Sequence, residues 1–159
     1  MVETERKFLL KSDAWRQLPA RKSHIVQGYL STDPERTVRV RIRGESGTVT
    51  IKGKSSASGM SRYEWETEIS LHDAKSLILL CIGVVDKTRH EIPFGSHVFE
   101  VDEFHGNHDG LVLAEVELKS ENEDFPRPDW LGDEVTQDVR YYNSWLSANP
   151  WPFNEPPRS

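Results

Sequence analysis

The chain has 159 residues, of which 36% are hydrophobic and 29% are charged, and its formal net charge is −6. This length and composition predict a single globular domain around one core. The acidic balance argues against nucleic acid or an anionic membrane as a general partner, because both favour basic surfaces. Cys81 is the only cysteine, which excludes a disulfide framework and a cysteine-rich zinc site. No apolar run approaches the roughly 18 residues of a membrane-spanning helix, and we expect a cytoplasmic protein.

The first predicted strand begins at Glu3 and alternates with a period of two. Successive side chains of a strand point to opposite sides, so Glu3, Glu5 and Lys7 share one face. A face with two carboxylates and an ammonium cannot pack as an ordinary hydrophobic core. A short helix is predicted after Ser12 and stopped by Pro19, followed by a second strand over residues 23–30.

Six later segments repeat this alternation and sort their charges by sign. They are the predicted strands at 38–43, 50–54, 63–69, 87–89, 99–102 and 114–118. The first two carry only arginine or lysine at the alternate charged positions, whereas the third and the last carry only carboxylates. Solvent-facing strands normally mix Thr, Ser, Gln and Lys. The segregation therefore indicates faces that surround a common site.

Turns and helices connect these strands. Turn-forming residues at 44–47 and 93–96 predict two hairpins. Residues 71–82 carry a helical pattern that Gly83 ends.

The C-terminal part is predicted to be less regular. Residues 122–133 contain proline and glycine and predict a loop, after which Thr136 caps a helix that runs to about Leu146. We place a single domain at residues 1–148 and a tail rich in proline and aromatic residues at 149–159.

The alternating strands predict a barrel with charge on its inside, because alternate residues of every barrel strand point inward. Buried charges must be paired or must coordinate metal. A cation-rich wall suits a chain of phosphates, and carboxylates beside it suit Mg²⁺ or Mn²⁺. The faces carry Lys7, Arg39, Arg41, Arg43, Lys52, Lys54, Lys87 and Arg89 against Glu3, Glu5, Glu64, Glu66, Glu68, Glu100, Asp102, Glu115 and Glu117.

The same residues resemble a known family. Glu3-x-Glu5-x-Lys7 is similar to the ExExK signature of the CYTH superfamily, the triphosphate tunnel metalloenzymes, and further features follow in the family's order. These are Gln27-Gly28-Tyr29-Leu30, Arg39-x-Arg41, Thr50-Ile51-Lys52, Ser61-Arg62-x-Glu64-x-Glu66, Lys87-Thr88-Arg89, Glu100-x-Asp102, Glu115-x-Glu117 and Val135-Thr136-x-Asp138-x-Arg140-Tyr141. The resemblance covers residues 2–146 and is greatest to the short, single-domain bacterial branch.

The resemblance implies a mainly β fold: an eight-stranded antiparallel β-barrel tunnel with a charged lumen and a few flanking helices. Phosphate oxygens would be held by Lys7, Arg39, Arg41, Lys52, Lys87 and Arg89. Metal ligands, direct or through water, would be Glu3, Glu5, Glu64, Glu66, Asp102, Glu115 and Glu117. Arg43, Lys54, Glu68 and Glu100 would lie at the tunnel mouth or behind these residues.

The activity implied is hydrolysis of inorganic triphosphate, or of a small organic triphosphate, with Mg²⁺ or Mn²⁺. Phosphoanhydride hydrolysis depends on positioning and charge stabilisation, with a water activated by the metal or oriented by a carboxylate. Lys87 and Tyr29 are the candidates for proton transfer, because neighbouring cations can lower the pKa of either group. Tyr29 is equally consistent with a hydrogen bond to phosphate at the tunnel end.

Other functions remain open at this point. The family resemblance also allows a class IV-type adenylate cyclase, a thiamine triphosphatase or an RNA 5′-triphosphatase, and a non-catalytic oligophosphate-binding module belongs to a different class. We expect a small-molecule triphosphate as the partner, no nucleic acid or membrane, and a monomer or homodimer. His105, His108 and Asp109 are expected in a turn and not in a metal cluster.

Overall fold

The computed structural model of the protein describes residues 1–153, which form nine strands, two α-helices and three short 3-10 turns. The strands are β1 (Val2–Leu10), β2 (Arg21–Ser31), β3 (Arg36–Arg43), β4 (Ser46–Gly53), β5 (Ser61–Ile69), β6 (Val84–Phe94), β7 (His97–Phe104), β8 (Val112–Leu118) and β9 (Leu131–Glu134). The helices are α1 (Leu71–Ile78) and α2 (Asn143–Leu146), and the 3-10 turns are Ala14–Gln17, Gly106–His108 and Val139–Tyr141. Neither helix is long and apolar enough to cross a bilayer.

The first eight strands close into an antiparallel barrel. Neighbouring strands follow the order β5-β4-β3-β2-β6-β7-β8-β1, and a further pairing between β1 and β5 closes the ring. The predicted eight-stranded antiparallel barrel is therefore confirmed, with β9 added beside β1.

Strand β1 closes the barrel, because it pairs with other strands along both of its edges. One edge pairs with β8 from Thr4 to Leu9. The other edge pairs with β5 over residues 2–4 and with β9 at Phe8 and Leu10. Between them, the amide of Lys7 donates to Thr136 Oγ1 at 3.0 Å. Both edges of β1 are thus satisfied along the part that carries the ExExK residues.

The lumen has a charged middle and an apolar end. Leu9, Val85, Phe104 and Leu113 continue the inward-facing series of β1, β6, β7 and β8, and all four pack into one hydrophobic cluster. The cluster also contains Tyr141, Trp145 and Leu146. They belong to the C-terminal segment, by which we mean residues 135–153. The C-terminal segment therefore fills the apolar end of the lumen.

A second cluster lies outside the barrel wall. Phe8, Phe99 and Val116 point away from the lumen and are fully buried beneath Trp15 and Trp130. The rings of Phe99 and Trp130 meet edge to face with centroids 5.5 Å apart, a favourable arrangement for aromatic pairs. The segments outside the barrel thus hold the β1, β7 and β8 side of the wall in place.

Helix α1 begins at Leu71 as predicted, because Ser70 Oγ accepts from the Asp73 amide at 3.0 Å. It ends at Ile78 and not at residue 82. The chain there returns to β2, where the Ile82 amide donates to Tyr29 O at 3.0 Å. This pairing replaces the last predicted helical turn.

The C-terminal predictions are partly wrong. Residues 131–134, inside the predicted loop, form β9. The continuous helix from Thr136 is replaced by a 3-10 turn and the one-turn α2, with Tyr142 extended between them. Thr136 does not cap a helix, since its hydroxyl accepts from Lys7 and donates to Glu134. Of the predicted tail, residues 154–159 lie outside the described residues, while Trp151 and Phe153 pack against the lumen cluster.

Gly83 allows the C-terminal segment to approach the barrel. A Cβ at this position would overlap the carbonyl group of Ser147, just after α2. We expect Gly83→Ala to lower the free energy of unfolding by about 1–3 kcal/mol, as overpacking does, in urea denaturation. Gly53→Ala is the matched control, because its Cβ would make only an ordinary contact with Tyr63 at 3.6 Å. Equal stability of Gly83→Ala and the unchanged protein would contradict this close approach.

Candidate active site

The charged part of the lumen encloses a cavity of about 280 Å³. Every predicted site residue except Asp102 lines it: Glu3, Glu5, Lys7, Tyr29, Arg39, Arg41, Lys52, Glu64, Glu66, Lys87, Arg89, Glu115 and Glu117. Arg43 and Glu100 also line the cavity, whereas Lys54 and Glu68 do not. The period-two alternation thus brings both signs of charge to one site.

Asp102 lies beneath the cavity and is 1% exposed. Its two carboxylate oxygens accept from Arg89 Nε at 2.8 Å and Arg89 Nη2 at 2.9 Å. Lys87 Nζ lies 2.8 Å from one of the same oxygens. Burial alone would raise the pKa of Asp102, but Arg89 and Lys87 hold it well below its usual range. Asp102 therefore stays ionised and anchors two cations.

Lys87 is the most deeply buried cation of the site, with 1% exposure. Burial lowers the pKa of its ammonium to about 7, with Arg89 and Arg41 adding to the shift and Asp102 opposing it. Lys87 Nζ also donates to Asn143 Oδ1 at 2.8 Å. A lysine with this pKa can exchange a proton near neutral pH.

Arg41 is held by Gln27, a buried residue of β2. Gln27 Oε1 accepts from Arg41 Nε at 2.9 Å and from Arg41 Nη2 at 2.8 Å. Burial, followed by repulsion from Arg39 and Arg89, lowers the pKa of Arg41 to about 9. Arg41 remains charged at neutral pH and keeps a fixed orientation toward the cavity.

The remaining cations pair with carboxylates around the wall. Lys7 Nζ lies 3.3 Å from Glu115 Oε1, Lys52 Nζ lies 3.2 Å from Glu3 Oε2, and Arg39 Nη2 lies 3.5 Å from Glu66 Oε1. Burial would lower the pKa of Lys7, but Glu115 and Glu5 outweigh it and raise it, whereas burial lowers the pKa of Lys52. These pairs offset part of the cost of burying the charges.

Two buried atoms at the cavity lack hydrogen-bond partners among residues 1–153. They are the Nε of Arg39, a donor, and the Oε2 of Glu64, an acceptor. Buried polar groups are normally satisfied. The Arg39 Nε is therefore a donor that an anion in the cavity can use, whereas the Glu64 Oε2 lies 3.7 Å from Lys52 Nζ and is compensated by that charge.

Glu5 and Glu117 form the most suitable place for a divalent cation. They stand directly opposite each other on β1 and β8, where like charges repel. Neither forms an ion pair with another described side chain. Mg²⁺ commonly binds one or two carboxylates together with substrate phosphates, so the site fits such an ion. Within residues 1–153, no three His, Cys, Asp or Glu side chains already converge as a metal site.

Several lining residues were not among the predicted site residues. Arg62 shares the inward face of β5 with Glu64 and Glu66, and the same alternation could have identified it. Gln27 lies within the quoted Gln27-Gly28-Tyr29-Leu30 motif but carried no assigned role. Asn143 comes from the irregular C-terminal segment, where no strand pattern points to it.

The turn that contains His105, His108 and Asp109 joins β7 to β8, as predicted, and packs against the C-terminal segment. His108 is buried, and its Nε2 lies 2.5 Å from Leu146 O and 2.8 Å from Asn149 O. His105 Nε2 instead lies 2.8 Å from Thr88 Oγ1. These contacts give the turn a structural role.

Comparison with known proteins agrees with this geometry. An inorganic triphosphatase from Acetivibrio thermocellus is 44% identical over 94% of this chain and 95% of its own length. An inorganic triphosphatase from Nitrosomonas europaea is 38% identical over 94% of this chain and 99% of its own. The crystal structure of the inorganic triphosphatase NE1496 superimposes with a TM-score of 0.67 and 33% identity, covering 92% of this chain and 95% of that one.

The family model for the CYTH domain matches residues 1–143, which include all strands of the barrel and every predicted site residue. A closed barrel whose lumen carries both positively and negatively charged side chains is the fold that the resemblance implied. This chain therefore belongs to the CYTH family.

Proposed function

We propose that this protein is a hydrolase of inorganic triphosphate that requires Mg²⁺ or Mn²⁺. The observation that carries the proposal is the lumen cavity, in which a cationic wall faces the carboxylates Glu5 and Glu117. The two relatives named inorganic triphosphatases, similar over 94% of this chain, support the same substrate. A small polyanion with a bound cation matches both walls of this cavity.

The cations of the cavity would bind the phosphoryl oxygens. Arg39 has an unused buried donor, Arg41 is oriented by Gln27, and Arg89 is oriented by Asp102. Guanidinium groups held in this way bind phosphate oxygens in two-point contacts. Because catalysis of phosphoryl transfer depends on positioning and charge stabilisation, this rigid arrangement is the main contribution of the chain.

The carboxylates would hold the divalent cation. Glu5 and Glu117 are best placed for direct contact, with Glu3, Glu64, Glu66 and Glu115 around them. When bound, such an ion neutralises charge that develops on phosphoryl oxygens and activates water. We assign Asp102 the separate role of anchoring Lys87 and Arg89, since both of its oxygens are already occupied.

Lys87 is the better placed candidate for accepting a proton from the attacking water. Its pKa of about 7 leaves a substantial fraction as free amine at neutral pH. Tyr29 is also buried at the cavity, where its hydroxyl accepts from Gln27 Nε2 at 3.2 Å. That contact suits the predicted hydrogen bond to phosphate, and Tyr29 remains the second candidate.

The deciding assay measures phosphate release from tripolyphosphate, ATP and thiamine triphosphate with Mg²⁺, with Mn²⁺ and in metal-free buffer. Metal-dependent release that strongly favours tripolyphosphate is the expected result. Formation of cyclic AMP and pyrophosphate from ATP would indicate an adenylate cyclase. A preference for thiamine triphosphate would indicate a thiamine triphosphatase. Binding without turnover would indicate an oligophosphate-binding module.

The cytoplasmic location and the choice between monomer and homodimer stay predictions.

Glu5→Gln tests the cation site. The change keeps the shape of the side chain and removes the charge that faces Glu117, so we expect metal-dependent turnover to fall at least about 10-fold, since changes in residues that only support metal ligands already cost about 10–100-fold in metal affinity or activity. Glu68→Gln is the matched control, because Glu68 shares the alternation but lies outside the cavity. Phosphate release at saturating Mg²⁺ measures both, and near-normal turnover of Glu5→Gln would remove Glu5 from the site.

Asp102→Asn tests whether Asp102 keeps the Lys87 ammonium charged. A carboxylate favours the charged ammonium, so its loss should lower the pKa of Lys87 from about 7, because burial and the repulsion from Arg89 and Arg41 remain. An NMR titration of the lysine side-chain nitrogens measures this shift directly. Asp86→Asn is the control, since Asp86 on the same strand pairs with the exposed His24. An unchanged or raised pKa of Lys87 in Asp102→Asn would contradict the role assigned to Asp102.

A further inference from the structure

The C-terminal segment contributes to the wall of the cavity as well as to its apolar end. Tyr142, Asn143 and Ser144 line the cavity. The carbonyl of Tyr141 accepts from Lys7 Nζ at 2.9 Å. A part of the chain without any strand alternation therefore reaches the site that the barrel strands build.

The hydrogen bonds of Gln27 determine which way the amide of Asn143 points. Arg41 has only donors, so the oxygen of Gln27 must face it and the nitrogen of Gln27 must face away. That nitrogen donates to Asn143 Oδ1 at 2.9 Å. The oxygen of Asn143 is thus directed toward Gln27, and Lys87 Nζ donates to the same oxygen at 2.8 Å.

This orientation leaves the amide nitrogen of Asn143 free. Asn143 Nδ2 carries two N–H donors, and no acceptor among the described residues takes them. Asn143 lines the cavity together with Lys7, Arg41 and Lys87. Asn143 thus adds a neutral donor to the cations of the cavity, and an anion is the ligand that supplies acceptors to such donors.

We infer that Asn143 is a substrate-binding residue, whose Nδ2 donates to a phosphoryl oxygen of the bound oligophosphate while Gln27 holds its amide in the required orientation. This inference rests on the proposed function. Asn143 precedes the rest of α2, which packs through Leu146 into the apolar end of the lumen. The bound anion therefore gains a direct contact with the segment that closes the barrel.

Binding of a triphosphate that is not hydrolysed tests this contact. The probe is an imido-bridged triphosphate with Mg²⁺, measured by isothermal titration calorimetry. Asn143→Asp keeps the oxygen that faces Gln27 and Lys87 but replaces the donor with an acceptor. We expect its Kd to rise at least about tenfold, since hydrogen bonds to charged groups are among the stronger ones.

Asn149→Asp is the matched control, because it makes the same chemical change in the same segment. Asn149 Nδ2 donates to Trp145 O at 2.8 Å and does not line the cavity. This variant should bind like the unchanged protein. Equal weakening in both variants would assign the effect to loosening of the segment and overturn the inference. If the unchanged protein does not bind the probe, the proposed function itself fails.

NMR of the side-chain amides separates a direct contact from the effect of an added charge. The cross-peak that is missing in Asn143→Asp identifies the Nδ2 group of Asn143. On addition of the probe we expect one of its protons to shift downfield and a coupling between nitrogen and phosphorus to appear across the hydrogen bond. A resonance that does not move while the probe binds would overturn the inference.

Discussion

The buried ion cluster of Asp102, Lys87 and Arg89 is the constraint on which the site depends. Two cations taken out of water without a partner would cost several kcal/mol each, and the contacts of 2.8–2.9 Å in which Asp102 accepts from Arg89 and Lys87 offset that cost. The carboxylate fixes the position of Arg89 and opposes the loss of charge from Lys87. Outside the cluster, Lys87 donates to Asn143, Asn143 accepts from Gln27, and Gln27 in turn accepts from Arg41.

The division of the lumen into a charged and an apolar part explains how one barrel holds both a ligand site and a core. Each of β1, β6, β7 and β8 changes from charged to apolar inward residues at the same end, as in Lys7 followed by Leu9. Leu146 and Tyr141 bury the apolar end. The charged part of the lumen is left for a ligand whose oxygens and cation can replace water.

The sequence predicts which strand residues line the site. It does not predict how deeply each of them is buried, or which later segment of the chain completes the wall. Alternation places Arg39 and Arg41 correctly, because the side-chain period of a strand is two regardless of context. Lys54, which shares the alternation, does not line the cavity, because β4 ends at Gly53 and the periodicity ends with it. Alternation cannot show that Asp102 lies below the cavity, since depth depends on packing between strands. Asn143 escapes prediction because long-range contacts alone, such as those with Gln27 and Lys87, bring it to the site.

The closing position of β1 in the barrel affects how the chain avoids aggregation while it folds. β1 is synthesised well before β8, yet its longest pairing is with residues 113–118 of β8, and contacts so distant in sequence form slowly. Until then its backbone groups are open to other chains, a known hazard of unpaired strands. The alternate charges of Glu3, Glu5 and Lys7 would repel or misalign a copy of the same strand. The residues that line the cavity in the finished barrel thus also protect the nascent strand.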